Sequence, residues 1–333
     1  MRYRIAYRPY RRALQLPLRT AHGAWTDREG VLVRLESEDG HIGYGEAAPI
    51  PWFGTETMAE ILAALAELGA DATDDELAAV PARLGCLRFA LAAARNVTPP
   101  TGSATPNRLP VAALLPAGRA ALEVLPQRLE AGYLAAKWKV GVARAEEELP
   151  VLDDLLGLLP PYAKLRLDAN GAWDRRTAQK WLARCAERPV EFVEQPVAPE
   201  AADTLRGLAV DFPVTLALDE SVTGLAAAQE WQASGWRGVF VIKPALAGPL
   251  TELVGWAEKT KPDLVFSSAI ETALARSQWL RAVFARGLTK RALGVGLGPV
   301  FGDRRWDGPM VGPLMDAAWS DEVNPEALWT AAR

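Results

Sequence analysis

Lys164-Leu165-Arg166-Leu167-Asp168-Ala169-Asn170 alternates strictly between two kinds of side chain. In an extended strand Lys164, Arg166, Asp168 and Asn170 share one face, and Leu165, Leu167 and Ala169 share the other. An apolar face packed outward on helices and a charged face turned inward is the pattern of a strand in a closed parallel barrel. Seven further short apolar or alternating runs carry the same message: Val111–Leu115, Leu134–Val140, Val190–Gln195, Val214–Asp219, Val239–Lys243, Leu264–Ser268 and Leu293–Leu297. Helical stretches separate most of them. Eight strands alternating with helices predict an α/β chain with a (β/α)8 barrel. A doubly wound sheet would need a Gly-rich phosphate turn after an early strand, and none is present.

The region before the barrel reads differently. Val31–Glu36, the turn Glu38-Asp39-Gly40 and His41–Glu46 form a hairpin signal. Ala and Leu dominate Met58–Leu68 and Pro81–Ala94, both helical in pattern. The turn-rich stretch 96–107 marks a boundary. The chain is thus expected to carry an α+β domain over residues 1–100 and a barrel over 101–305.

Six residues fall at the C-terminal ends of successive strands: Lys139, Asp168, Glu194, Asp219, Lys243 and Ser267. Their separations are 29, 26, 25, 24 and 24 residues, each about one βα unit. Alone, an Asp at a strand end is more often a cap or turn residue, a lysine a solvated charge, Ser267-Ser268 a turn, and Arg166 a buried ion-pair partner. Five charged groups, each one βα unit from the next, are better explained by a site. Three converging carboxylates repel, and a hard divalent cation relieves that repulsion. Oxygen-only ligation without Cys or His favours Mg²⁺, with Mn²⁺ as a substitute. Asp168, Glu194 and Asp219 are the expected ligands and Asn170 a supporting group. A lysine beside a metal and a second lysine can act as a general base. Lys139 and Lys243 would face each other across the mouth, a layout suited to removing a proton α to a carboxylate.

Composition agrees. The 333 residues are half apolar and 23% charged, with a net charge of −4. That charge offers no basic footprint for nucleic acid. The basic start (Arg2, Arg4, Arg8, Arg11, Arg12) has no apolar run behind it, so no secretory signal is expected, and no stretch is long and apolar enough for a membrane span. Cys86 and Cys185, far apart, read as core residues of a reduced, cytoplasmic protein. The expected partner is a small-molecule carboxylate, and monomer and homo-oligomer stay equally open.

The set Lys137-Trp138-Lys139, Asp168-Ala-Asn-Gly171, Glu194-Gln195-Pro196, Leu218-Asp219-Glu220-Ser221 and Ile242-Lys243-Pro244 resembles the enolase superfamily, in its muconate-lactonizing subgroup. Gly43-Tyr-Gly-Glu-Ala-Ala-Pro49 is similar to that family's capping-domain hairpin. The resemblance implies an enolase-like modified barrel, a capping domain completed by residues 306–333, and bound Mg²⁺. Lys139 and Lys243 become the catalytic pair. Lys137, Arg166 and Asn170, the run Phe266–Thr272 with Ser267, Ser268 and Glu271, and Gly296 and Gly298 near strand eight become candidate substrate contacts. Loops around Arg19–Asp27 and Pro51–Thr55, with Arg19, His22, Trp52 and Phe53, would cover the mouth. The implied reaction is loss of water β to a carboxylate, with racemisation of N-acylamino acids or dipeptides as the alternative. A non-catalytic barrel would be expected to lack one of the five groups. Epimerases of the subgroup carry Asp-x-Asp at strand eight, whereas here Asp303 stands alone.

Overall fold

The computed structural model describes residues 1–20, 23–95, 107–296 and 298–332; the side chains of Arg19 and Thr20 are not described. The expectations for Arg19, His22 and most of the 96–107 boundary therefore lie outside the described residues. The N-terminal part is a four-stranded antiparallel sheet of β1 (Arg2–Thr20), β2 (Gly23–Ser37), β3 (Ile42–Ala47) and β4 (Asp71–Thr73), in the order β3-β2-β1-β4. The expected hairpin is present, with Val31 opposite Ala47 and Glu36 opposite Ile42. Helices α1 (Met58–Leu68), α2 (Asp74–Ala78) and α3 (Gly85–Ala94) back the sheet. Thr57 and Glu60 start α1 as a reciprocal cap, and Thr73 and Glu76 do the same for α2. Helix α3 lies so close to β3 that a side chain at Gly45 would reach 1.9 Å from the Ala90 carbonyl oxygen.

After the short β5 (Arg108–Pro110), a parallel sheet runs through β6 (Ala112–Leu115), β7 (Ala135–Lys139), β8 (Lys164–Asp168), β9 (Val190–Glu194), β10 (Leu216–Leu218), β11 (Val239–Ile242) and β12 (Leu264–Phe266). Between them lie α4 (Ala121–Glu130), α5 (Ala145–Leu158), α6 (Arg175–Cys185), α7 (Ala202–Asp211), α8 (Leu225–Ala233) and α9 (Leu250–Thr260). Helix α10 (Ala273–Arg286) follows β12.

For the eighth expected strand, Leu293–Leu297, the structure differs from expectation: its described residues, 293–296, contribute single bridges rather than a ladder. The amide of Ala112 donates to Leu293 O and that of Gly294 to Phe266 O, both at 2.9 Å. Those bonds join β6 to β12 and close the ring. β13 (Leu314–Asp316) pairs with β5, and α11 (Pro325–Ala331) reaches β3, where Tyr44 hydrogen-bonds Glu326.

The barrel interior explains the alternation on β8. Phe192, Ala217, Val239, Val241 and Val265 form one buried cluster, and Ala112, Ala135 and Ala292 another. Those alanines leave room for Arg166, which is 1% exposed, stacks over Phe192 and donates to Ala292 O. Outward-facing Trp138 and helix-borne Trp181 and Trp279 are fully buried in the layer between strands and helices.

Candidate active site

Lys139, Asp168 and Glu194 end β7, β8 and β9, while Asp219, Lys243 and Ser267 immediately follow β10, β11 and β12. All six are therefore at one rim. Strand order separates β7 from β11 by three strands on one side. On the other side lie β12, the 293–294 bridge and β6, so Lys139 and Lys243 stand on opposite walls.

Local interactions fix the rim. Asn170 and Gln195, just beyond Asp168 and Glu194, have left-handed backbones with φ +44° and +38°. The buried Gln195 amide accepts from Asp219 N and Ser221 N, each at 3.1 Å, and donates to Val197 O and Ser221 Oγ. It thereby ties the Glu194 and Asp219 segments together. Beyond Lys139, the carboxylate of Glu148 accepts the amides of Gly141, Val142 and Ala143 at 2.8–3.1 Å.

The three lysines differ sharply. Lys137 Nζ sits 2.7 Å from Asp168 Oδ2 and 2.7 Å from Glu194 Oε1. Burial alone would discharge it, but those carboxylates outweigh burial and hold its pKa above the ordinary lysine value. Lys243 pairs with Asp219 and stands 4.1 Å from the ring centroid of Phe53. Lys139 makes no ion pair or side-chain hydrogen bond with a described residue.

The carboxylates are under strain of another kind. Burial, then the Asp168 charge, pushes the Glu194 carboxyl well above its usual range, and burial with Asp219 does the same to Glu220. Asn170 Nδ2 donates to Glu220 Oε1 at 3.0 Å, while Asn170 Oδ1 and Glu220 Oε2 are buried acceptors with no donor among the described residues. Among the described residues no three acidic, His or Cys side chains are drawn together as a ready metal cluster. The ammoniums of Lys137 and Lys243 lie among the carboxylates instead. Oxygen donors, crowded negative charge and orphaned acceptors together fit a hard divalent cation held by Asp168, Glu194 and Asp219.

Other expected contacts are placed elsewhere. Arg166 is committed to Glu191 at 2.6 Å inside the barrel, the ion-pair role weighed from sequence, and does not reach the rim. Glu271 is fully buried and accepts from Ser268 Oγ, Ala269 N and Trp279 Nε1, so it orders a turn rather than facing the mouth. Ser267 Oγ donates to Gly294 O. Gly296 is half-buried with φ +75°, and Gly298 is exposed. Trp52 packs edge-on against Trp25 at 4.9 Å beside Phe53. Leu114 was missed: it is 54% exposed beside Lys137 on the inward face of β6, giving the mouth an apolar side. Gln195 and Glu220 were missed too, although both adjoin expected ligands. Glu148 was hidden in the run Glu146-Glu147-Glu148, which looks like a solvated helix start.

Residues 120–259 match the family described as Enolase C-terminal domain-like. An o-succinylbenzoate synthase of Thermosynechococcus vestitus is 43% identical over 282 residues, 82% of this chain and 86% of that protein. One from Yersinia enterocolitica is 33% identical over 290 residues, 82% of this chain and 85% of that protein. The solved structure of o-succinylbenzoate synthase from Thermosynechococcus elongatus BP-1, with Mg in its active site, superposes with a TM-score of 0.83. It is 38% identical and covers 98% of this chain and 99% of its own. A dipeptide epimerase of Enterococcus faecalis, at 21% identity, shares the fold with a TM-score of 0.77, over 95% of this chain and 97% of its own. Barrel, cap and rim together define an enzyme of the enolase superfamily. Within it, the chain belongs to the o-succinylbenzoate synthase family.

Proposed function

We propose that the site carries out the o-succinylbenzoate synthase reaction, the syn loss of water from 2-succinyl-6-hydroxy-2,4-cyclohexadiene-1-carboxylate to give 2-succinylbenzoate. One observation carries the choice among superfamily reactions: 43% identity to an o-succinylbenzoate synthase across 82% of the chain. The geometry supports the chemistry. Lys139, which pairs with no carboxylate among the described residues, takes the proton α to the substrate carboxylate. Now an ammonium, it returns that proton to the departing hydroxyl on the same face. Lys243, on the opposite wall and covered by Phe53, favours the negative charge that develops on the substrate. Lys137 is held protonated by its two carboxylates and orders them rather than acting as a base. Asp168, Glu194 and Asp219 would hold Mg²⁺, with Mn²⁺ as a substitute, and the bound ion supplies a Lewis acid for the substrate carboxylate. Trp25, Trp52 and Phe53 exclude water from above, and Leu114 gives the ring an apolar neighbour.

In this reading residues 1–100, completed by 306–333, form the cap and 101–305 the catalytic barrel. The product serves menaquinone or phylloquinone synthesis. Among the described residues no helix is long and apolar enough to cross a membrane, and we place the enzyme in the cytoplasm. A two-base racemase would use the same lysines, but Asp303, the acid nearest strand eight, is taken up by Arg305 and offers no site for a substrate ammonium. Turnover of the cyclohexadiene, followed by loss of diene absorbance with Mg²⁺ and with excess EDTA, tests the proposal. Turnover abolished by EDTA is expected. Absence of turnover with Mg²⁺ present would refute the substrate assignment.

A further inference from the structure

Ile270, in the turn after β12, has φ +60°, and among the described residues it is the only β-branched one with a left-handed backbone. A branched side chain resists that conformation, and it persists only where its surroundings over-determine it. Two sets of bonds do so here. Ser268 Oγ accepts from Ile270 N at 3.0 Å and donates to Glu271 Oε2 at 2.9 Å. The same Glu271 oxygen accepts from Ala269 N, while Oε1 accepts from Trp279 Nε1 at 3.0 Å.

The carbonyl side of the turn is held from the cap. Arg28 of β2 is 1% exposed, and Nε donates to Ile270 O at 3.0 Å and Nη2 to Ala269 O at 3.3 Å. Its other bonds go to Glu29 O and Pro49 O from Nη1 and to Ala48 O from Nη2. All five end on backbone carbonyls. Burying a guanidinium without a carboxylate is unfavourable electrostatically, so the gain is geometric. Arg28 also stacks 5.3 Å from the Trp25 ring centroid, and Trp25 packs on Trp52. One side chain therefore touches the approach to the covering loop 51–55, the Trp25–Trp52 pair and the strained turn at the barrel rim.

We propose that Arg28 is a positioning residue that locks the turn Ser267–Glu271 to the covering loop Pro51–Thr55, with Ile270 held in its strained conformation as part of the lock. The two edges of the cleft are then set in one register before substrate arrives. Arg28 acts through the backbone and touches no reacting atom. The kinetic part of this proposal rests on the reaction assigned above; the structural part does not.

The decisive variant is Ile270→Gly, which removes the strain and leaves every Arg28 donor in place. Its melting temperature should equal or exceed that of the parent, whereas KM for the cyclohexadiene should rise roughly tenfold with kcat changing far less. Amide hydrogen exchange without substrate should quicken in both 48–54 and 267–272. Arg28→Met should give the same paired response more strongly; if it fails to fold, Ile270→Gly decides alone. Unchanged KM, or faster exchange confined to 267–272, would overturn the proposal. If the parent does not turn over the cyclohexadiene, the reaction assignment fails, and the paired exchange response still decides the lock.

Discussion

Lys137 and Lys139 lie two residues apart on one strand and meet opposite fates. Lys137 is clasped by Asp168 and Glu194, while Lys139, one pleat nearer the rim, makes no ion pair with a described residue. Spacing singled out Lys139 and the resemblance Lys137, but neither carries information on depth. The same limit applies to Arg166, whose inward direction was legible and whose distance below the rim was not. Its partner Glu191 makes the consequence measurable. Burial would raise the Glu191 carboxyl, yet Arg166 and Arg291 outweigh burial and hold it below the usual carboxylate value. A pKa lowered by folding contributes stability above the unfolded-state value, and that contribution is lost as pH falls through the folded-state one. Glu191→Ala should cost about 3–5 kcal/mol at neutral pH, because Arg166 is left buried and unpaired. In denaturant unfolding between neutral and acid pH, the variant should also lose less stability toward acid than the parent. Equal acid sensitivity would contradict the ion-pair account. The strand-end carboxylates were readable because charged residues recurred once per βα unit. The turn-ordering role of Glu271 was not, since it depends on Trp279 eight residues on.

At the scale of elements, period-2 alternation and turn residues revealed the hairpin and seven of the eight barrel strands. They did not reveal the 19-residue length of β1, whose pairing breaks register between Ala13 and Leu18 and resumes. Nor did they show that the eighth segment would be reduced to bridges, because ladder formation depends on neighbours that a local pattern does not contain. The Gly43-x-Gly45 spacing has a direct packing cause: both glycines on β3 face the carbonyl oxygens of α3, at Ala94 and Ala90. Gly45→Ala would place Cβ 1.9 Å from Ala90 O, so the helix and strand must part. A loss of about 3 kcal/mol in denaturant unfolding is expected. A loss below about 1 kcal/mol would show that the sheet yields more easily than close packing allows.

Across the whole molecule, cap and barrel are joined by buried polar groups as much as by apolar area. Glu46 on β3 is fully buried; it accepts from Tyr10 Oη at 2.6 Å and Thr272 N at 2.9 Å, and it also bonds the Thr272 hydroxyl. It thus meets the N-terminus of α10, where free amides and the helix dipole favour a carboxylate. Arg28 makes the complementary contact from β2. The bonds of Glu46 to Thr272 and of Arg28 to Ile270 span more than 200 residues of sequence, and no local pattern announces them. On the cap side Phe53 lies over Lys243, and Lys139 stands on the opposite wall. In the proposed reaction Lys139 is the base. Its most direct test is turnover of the cyclohexadiene with Mg²⁺ by Lys139→Ala, with unchanged thermal unfolding as the control. Loss of at least about a thousandfold in kcat is predicted, since one positioned general base contributes about 10²–10⁴ and here the same group serves twice. A folded Lys139→Ala variant retaining turnover within tenfold of the parent would show that Lys139 is not the base.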